Sequence, residues 1–187
     1  MSGNIVILKN AKKEEIKAYN LLKDILFEDK ETVVGDLIEK RLPDIFTKDL
    51  SVGVEVTSCE HLSQFLIENR RTLRNKDAEI IMDYYENMSL KDKNLFFNME
   101  FEKILENKIR KIGNYKSCKS INLIIMSDNE EKHYIRRDSL AKIYQSLVEK
   151  YKVKYDNLFL YYNNNLYVSI NYKFIKLKKV KKDSLEF

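Results

Sequence analysis

The sequence is poor in the residues that separate a chain into independent units. It contains one proline and four glycines among 187 residues, and no stretch rich in serine, glycine or proline divides it, so a flexible linker between two domains is not expected. A chain of this length can bury one core but is short for two. The sequence therefore predicts a single domain that spans residues 1–187.

Cysteine and long apolar runs are equally scarce. Cys59 and Cys118 are too few for a disulfide framework, and neither has a second cysteine nearby that would suggest a zinc site. No apolar run approaches the roughly 20 residues that a membrane-spanning helix needs. The short apolar stretch after Met1 also lacks the features of a signal peptide. These absences predict a cytoplasmic protein with reduced thiols and no membrane partner.

Charge is abundant, and it accompanies an ordinary supply of core residues. Hydrophobic residues make up 44% of the chain and charged residues 34%, which is typical of a globular protein and not of a disordered one. The net charge of +5 is mild, but five lysines lie between Lys176 and Lys182. That tail could contact phosphate, although a solvated chain end is the commoner explanation of such a run.

Apolar residues at helical spacing predict the helices. Glu15, Tyr19, Leu22 and Leu26 share one stripe of a helix from about Ala11 to Phe27, so one member of the buried-looking stripe is an acid. A helical pattern also runs from residue 60 to 113, with breaks near residue 75 and at residues 87–89, and it predicts two or three helices that stop at Gly113-Asn114. A third stripe extends from Leu140 to Tyr151.

The strand patterns fall between these helices. Residues 32–57 predict two or three antiparallel strands with a hairpin tip at Lys48-Asp49, and three further runs read as strands: Ile121 to Met126, Leu158 to Tyr162 and Leu166 to Ile170. A last strand or hairpin follows. The order of elements predicts the α/β class, with a mixed sheet against which the helices pack.

Two acids on neighbouring predicted strands carry the most chemical information. If the runs that contain Asp44 and Glu55 are adjacent antiparallel strands, the two carboxylates come within about 5 Å and repel one another unless a cation lies between them. Oxygen ligands of this kind suit Mg²⁺ or Mn²⁺. Because side chains alternate along a strand, Glu55 and Thr57 share a face.

Pro43-Asp44, followed by Gly53-Val54-Glu55-Val56-Thr57, resembles the motif of the PD-(D/E)xK nuclease superfamily. The pattern is most similar to uncharacterised bacterial and phage members that run PD, a hairpin and GIEVT. The resemblance implies a restriction-endonuclease-like core, which is a central mixed β-sheet flanked by helices. It also implies DNA as substrate. Many proteins of this fold dimerise, so a homodimer is a possible state of this chain. It further implies Mg²⁺ or Mn²⁺ bound by Asp44, Glu55 and the carbonyl of Val56. The lysine of the motif is replaced by Thr57, which carries no positive charge.

Two helical residues are candidates to complete the site. Lys108 lies on the apolar stripe of its predicted helix, where a charged residue needs a reason to be, and a lysine that faces the sheet would supply the missing charge. The resemblance implies that Glu15, an acid on a helix, is an additional metal ligand. The alternative for both is a long side chain at a stripe edge that reaches into water.

Basic clusters and single reactive residues give weaker indications. Arg70, Arg71, Arg74 and Lys76 form a stretch that could bind a phosphate backbone, as could Lys132, Arg136 and Arg137, but clustered cations are as often only a solvated face. His61 has no partner acid fixed in sequence, which favours a surface histidine over a general base. Cys59 lacks an activating base and is interpreted as a small buried residue.

The sequence leaves two hypotheses about function. The first is a divalent-metal-dependent nuclease of phage or mobile-element type, in which the metal activates a water and Lys108 neutralises charge at the phosphorus. The second is a catalytically degenerate nuclease-fold protein that binds DNA or a host defence nuclease, in the manner of an anti-restriction or anti-CRISPR inhibitor. Thr57 at the lysine position favours the second hypothesis.

Overall fold

The strands of the chain form a single mixed sheet. The structure is a computed structural model, and it describes residues 4–35, 42–59, 87–115, 118–127 and 136–180. Within these ranges the strands are β1 (Ile5–Ile7), β2 (Thr32–Val34), β3 (Ile45–Thr47), β4 (Val52–Ser58), β5 (Ser120–Ser127), β6 (Leu158–Tyr162), β7 (Asn165–Ile170) and β8 (Lys173–Lys179). Eight strands of the described ranges therefore belong to one sheet.

The strands lie in the sheet in the order in which they follow along the chain. Parallel pairs join β1 to β2, β4 to β5 and β5 to β6, whereas β2, β3 and β4 form an antiparallel meander and β6, β7 and β8 form another. The parallel strands β4, β5 and β6 make up the middle of the sheet. Their side chains are buried on both faces, as is usual for parallel strands that are covered by helices.

Helix α1 (Lys13–Leu26) covers one face of the sheet. Its apolar side, Ala18, Leu21 and Leu22, is fully buried and packs with side chains of β2 to β6. The backbone N–H of Lys12 donates to the Glu15 carboxylate at 2.9 Å, which satisfies one of the free N–H groups at the helix start. The predicted helix between residues 11 and 27 is thus confirmed.

Two helices cover the opposite face. Helix α2 (Leu90–Lys111) begins after Ser89, whose side chain accepts a hydrogen bond from the N–H of Asp92, and a 3₁₀ turn of residues 112–114 follows its end. Helix α3 (Arg137–Tyr151) packs beside it. One buried cluster unites Phe101, Leu105 and Ile109 of α2 with side chains of α3 and of β5 and β6. The sheet therefore lies between one described helix on one side and two on the other.

The coarse fold class expected from the sequence is confirmed, since the described residues form an α/β structure with one mixed sheet. The hairpin tip at Lys48-Asp49 is also confirmed, because β3 ends and β4 begins around it. Strand β1 was not predicted. Its three residues are apolar and β-branched, but they are exposed in the structure, and so short a run does not separate a strand from other structure.

The lysine-rich run near residue 176 is part of a strand, and Lys176 and Lys179 are exposed on it, as the solvated interpretation expects. Lys176, Lys178 and Lys179 belong to β8, which forms the last described strand of the sheet. Lysines on such a strand discourage unwanted pairing with another chain. None of the helices in the described ranges is long and apolar enough to cross a membrane.

Candidate functional site

Asp44 and Glu55 meet across the hairpin of β3 and β4. The antiparallel register pairs Ile45 with Val54, and its continuation by one residue sets Asp44 opposite Glu55. Directly opposed residues of antiparallel strands project from the same face of a sheet. The Asp44 carboxylate also accepts a hydrogen bond of 2.7 Å from the N–H of Val56. The two acids are therefore neighbours, as their predicted strands required.

The face that bears Glu55 is the one covered by α2. Val54 and Val56 point to the other side, where they join the apolar cluster around α1. Glu55 itself is only 6% exposed. A buried carboxylate costs free energy unless it is paired or hydrogen-bonded.

Lys108 supplies that partner. Its ammonium group contacts Oε1 of Glu55 directly, and the two side chains are 20% and 7% exposed. Lys108 lies on α2 between the fully buried Leu105 and Ile109, so its stem follows the apolar stripe while the charge reaches the sheet. The expectation that Lys108 faces the sheet is confirmed. Its role in a reaction stays a prediction.

A close contact explains why glycine stands between the two halves of the motif. A Cβ atom on Gly53 would lie 2.5 Å from Cγ of Pro43 and 2.9 Å from Sγ of Cys118. Real Cβ atoms do not come so close to their neighbours, so any larger residue would push Pro43 away. Because Pro43 directly precedes Asp44, the glycine helps to place the carboxylate.

Tyr155 also belongs to the site, although sequence reasoning missed it. Its hydroxyl donates to the backbone carbonyl of Lys108 at 2.9 Å. Burial raises the pKa of the Tyr155 hydroxyl, and the charges of Glu55 and Asp44 raise it further, which places this hydroxyl within the electrostatic reach of both acids. Tyr155 follows α3 in a connecting segment, where no periodic pattern marks a residue as buried.

The electrostatics of Asp44 reflect the crowding of acids. Burial raises its pKa first, and the charge of Glu55 raises it next. The hydrogen bond from Val56 and the charge of Lys108 oppose these effects, yet the pKa of Asp44 still reaches about 7, against an ordinary value of 3.8. In a substantial fraction of metal-free chains this carboxyl therefore holds a proton at neutral pH. A cation beside it would release that proton.

This raised pKa predicts how stability depends on pH. The folded chain binds the Asp44 proton more tightly than the unfolded chain does, so the contribution is fully present below about pH 4 and is lost as the pH rises to about 7. We expect the urea midpoint of wild type, relative to that of Asp44→Asn, to fall across this window in metal-free buffer.

Two other acids with shifted pKa values do not obscure that measurement. Hydrogen bonds hold the pKa of Asp49 and of Glu106 at about 2 in the folded chain, and their contributions cancel because wild type and Asp44→Asn both carry them. A midpoint difference between wild type and Asp44→Asn that stays constant from about pH 4 to 7 would show that Asp44 does not carry the raised pKa.

Glu15 lies on α1 and is 2% exposed. One of its oxygens accepts from the N–H of Lys12, and the Lys12 ammonium lies 3.7 Å from the other. Its charge raises the pKa of Asp44, so it acts on the site from the opposite face of the sheet. Glu15 therefore has a structural role at the helix start, and its role as a metal ligand stays a prediction.

Val56 and Thr57 lie beside the acids on β4. The main-chain N–H of Val56 binds Asp44, whereas the predicted ligand is its carbonyl, which stays a prediction. Thr57 is half-buried and shares the face of Glu55. The position that holds a lysine in the motif is thus next to the site and uncharged.

A buried amide connects the site to the neighbouring strand. Asn122 of β5 is completely buried, and its side-chain amide donates to the carbonyl of Gly53 at 3.1 Å. Its carbonyl oxygen in turn accepts from the amide of Asn157 at 2.7 Å. An asparagine inside an apolar strand was the only sequence signal for this network.

The predicted phosphate-binding cluster of Arg70, Arg71, Arg74 and Lys76 lies outside the described residues, as do His61 and Lys132. Arg136 and Arg137 are exposed at the start of α3, and the Arg137 guanidinium lies 5.0 Å from the centre of the Tyr167 ring. Cys59 is 3% exposed, which agrees with its interpretation as a small buried residue.

The donors around Asp44 and Glu55 fit a small divalent cation. In the part of the chain that the structure describes, no group of three or more histidine, cysteine or acidic side chains is placed to hold a metal. Mg²⁺ does not need such a group, because it keeps several waters and is bound through one or two carboxylates plus substrate phosphate. The ammonium of Lys108 shows that a cation is accommodated at Glu55. Asp44 and Glu55 therefore match the number of carboxylates through which Mg²⁺ is usually bound.

Comparisons of the chain with models of protein families, with curated proteins and with solved structures gave no match.

Proposed function

We propose that the chain is a divalent-metal-dependent nuclease that hydrolyses DNA phosphodiester bonds at Asp44 and Glu55. The observation that carries the proposal is the contact between Lys108 and Glu55, on the face that Asp44 shares. Lys108, which lies on a helix, then supplies the positive charge that the motif places on its lysine. Thr57 occupies that lysine position and carries no charge. The order of α1, the meander of β2 to β4, α2 and the parallel β5 supports a restriction-endonuclease-like core.

The two acids bind and orient the metal, which is Mg²⁺ or Mn²⁺. Asp44 is held in position by the N–H of Val56 and by the packing of Pro43 on Gly53. Glu55 is fixed by the β4 ladder. When bound, the metal supplies charge stabilisation for the phosphate and an activated water. The protein contributes a carboxylate pair whose geometry is set before substrate arrives.

Lys108 stabilises negative charge that develops at the phosphate. Its ammonium is partly exposed and lies at the carboxylate pair, so it can reach a substrate oxygen as well as Glu55. A positive charge placed where negative charge develops favours the transition state more than the ground state. Tyr155 acts as a positioning residue, because its hydroxyl holds the backbone of Lys108.

Incubation of the purified chain with supercoiled plasmid tests the proposal. We expect nicking in the presence of Mg²⁺ or Mn²⁺, loss of nicking when the metal is removed with a chelator, and loss in Asp44→Ala. Cleavage by Asp44→Ala at the wild-type rate would remove Asp44 from the site.

The second candidate is a degenerate nuclease fold that binds DNA or a host defence nuclease, and the uncharged Thr57 favours it. It predicts a different result in the same experiment. The wild-type chain would leave plasmid intact with either metal, while it retained duplex DNA or a nuclease partner. Such a result would replace the first candidate by the second.

A further inference from the structure

The ammonium group of Lys108 lies against Glu55, the carboxylate that the proposed function assigns to the metal. It contacts Oε1 of Glu55 directly. A lysine ammonium and a divalent cation both carry positive charge, so one carboxylate oxygen does not hold both at contact distance without strong repulsion. Binding of a metal at that oxygen therefore competes with the ion pair of Lys108.

The structure also gives Lys108 a way to leave. Its side chain is 20% exposed, and a lysine has a flexible four-carbon stem with rotatable donors. The helix backbone beneath it is fixed, because Tyr155 holds the Lys108 carbonyl and the neighbouring Leu105 and Ile109 are buried. Exchange of partner thus needs a rotation of the side chain alone.

We propose that Lys108 is an internal competitor of the metal: its ammonium pairs with Glu55 in the metal-free chain, is displaced when the metal binds, and only then becomes available to the substrate phosphate. This inference rests on the proposed function, since it takes Glu55 as a metal ligand. It adds a regulation of the same site. Metal binding and the release of the positive side chain become one event, and the empty site is kept neutralised.

The competition predicts a gain of metal affinity when the ammonium is removed. Mn²⁺ binding is measured by titration calorimetry at a pH well above the Asp44 pKa of about 7, so that Asp44 is largely ionised. We expect Lys108→Met to bind Mn²⁺ about tenfold more tightly than wild type, because binding no longer has to break the ion pair. Lys108→Arg, which keeps the positive charge, should stay within about threefold of wild type.

Matched variants show whether the gain passes through Glu55. Lys103 is an exposed lysine on the same helix, and Lys103→Met should leave the affinity unchanged. Combining Lys108→Met with Glu55→Gln should abolish the gain. Thermal melts of each variant confirm that it is folded. If Lys108→Met does not fold, Lys108→Gln, which keeps a polar group at that position, replaces it in the titration.

Other outcomes separate the competition from the proposed function. If wild type binds Mn²⁺ in a Glu55-dependent manner and Lys108→Met binds it equally or more weakly, the competition is wrong and the metal site stands. If neither wild type nor Lys108→Met binds Mn²⁺, the competition and the metal-dependent function are both wrong.

Discussion

Glu55→Gln is expected to reduce Mg²⁺-dependent DNA cleavage by about 10³-fold or more. The substitution keeps the size of the side chain and removes the charge that would bind the metal. Glu55 is buried beside Lys108, and the amide oxygen of glutamine can still accept a hydrogen bond from that ammonium. We therefore expect the variant to fold. Initial rates of plasmid nicking measure the loss, and the circular dichroism spectrum checks the fold.

Glu31→Gln is the matched control for that experiment. Glu31 lies on the surface, where its carboxylate pairs with Lys48 at 3.0 Å and its side chain is 53% exposed. Exposed ion pairs contribute little to stability, so this variant should cleave like wild type. Undiminished cleavage by folded Glu55→Gln would exclude Glu55 as a metal ligand.

Lys108→Met should reduce cleavage by roughly 10² to 10³-fold, which is the typical effect of removing one charge-stabilising donor. Methionine preserves the apolar stem that packs along α2 and removes the ammonium. The same variant is expected to bind metal more tightly, so its defect should lie in kcat and not in metal affinity. Single-turnover rates at saturating Mn²⁺ separate the two effects.

Rescue from the motif position makes the test of Lys108 more stringent. Thr57 lies two residues beyond Glu55 on the same face of β4, where the motif has its lysine. Adding Thr57→Lys to Lys108→Met should restore part of the lost rate, because a positive group again reaches the phosphate. A fully active Lys108→Met, or a double variant no faster than Lys108→Met itself, would mean that this charge is not what the reaction needs.

The local elements of the fold could be predicted from the sequence because each has a strong local pattern. The α1 stripe and the hairpin between β3 and β4 are examples, and the predicted strand at residues 158–162 matches β6. The predicted and observed helix ends differ by about one turn at α2. The helix ends at Lys111, and a 3₁₀ turn occupies residues 112–114, where the sequence predicts the stop at Gly113-Asn114. Strand β1 was missed because its apolar run, Ile5–Ile7, is too short to identify a strand from pattern alone.

The candidate site could be predicted only in part. Adjacent strands brought Asp44 and Glu55 together, and the helical stripe indicated that Lys108 faces inward. Its partner, however, lies 53 positions away along the chain, and periodicity does not say which residues meet when a helix packs on a sheet. Tyr155 was missed for the same reason, since its hydrogen bond to the Lys108 carbonyl depends on tertiary packing alone.

The buried amide of Asn122 favours one alignment of β4 with β5 over an alignment shifted by one residue. On either side of it the β4 and β5 sequences are mostly aliphatic on both faces. Aliphatic side chains therefore distinguish less sharply between one alignment of the two strands and an alignment shifted by one residue. A shift by one residue would turn Glu55 into the apolar cluster beneath α1. Asn122 makes the shift expensive, because its bond to the Gly53 carbonyl exists in one alignment only. A single uncharged side chain thereby reinforces the alignment that brings Glu55 out on the α2 side of the sheet.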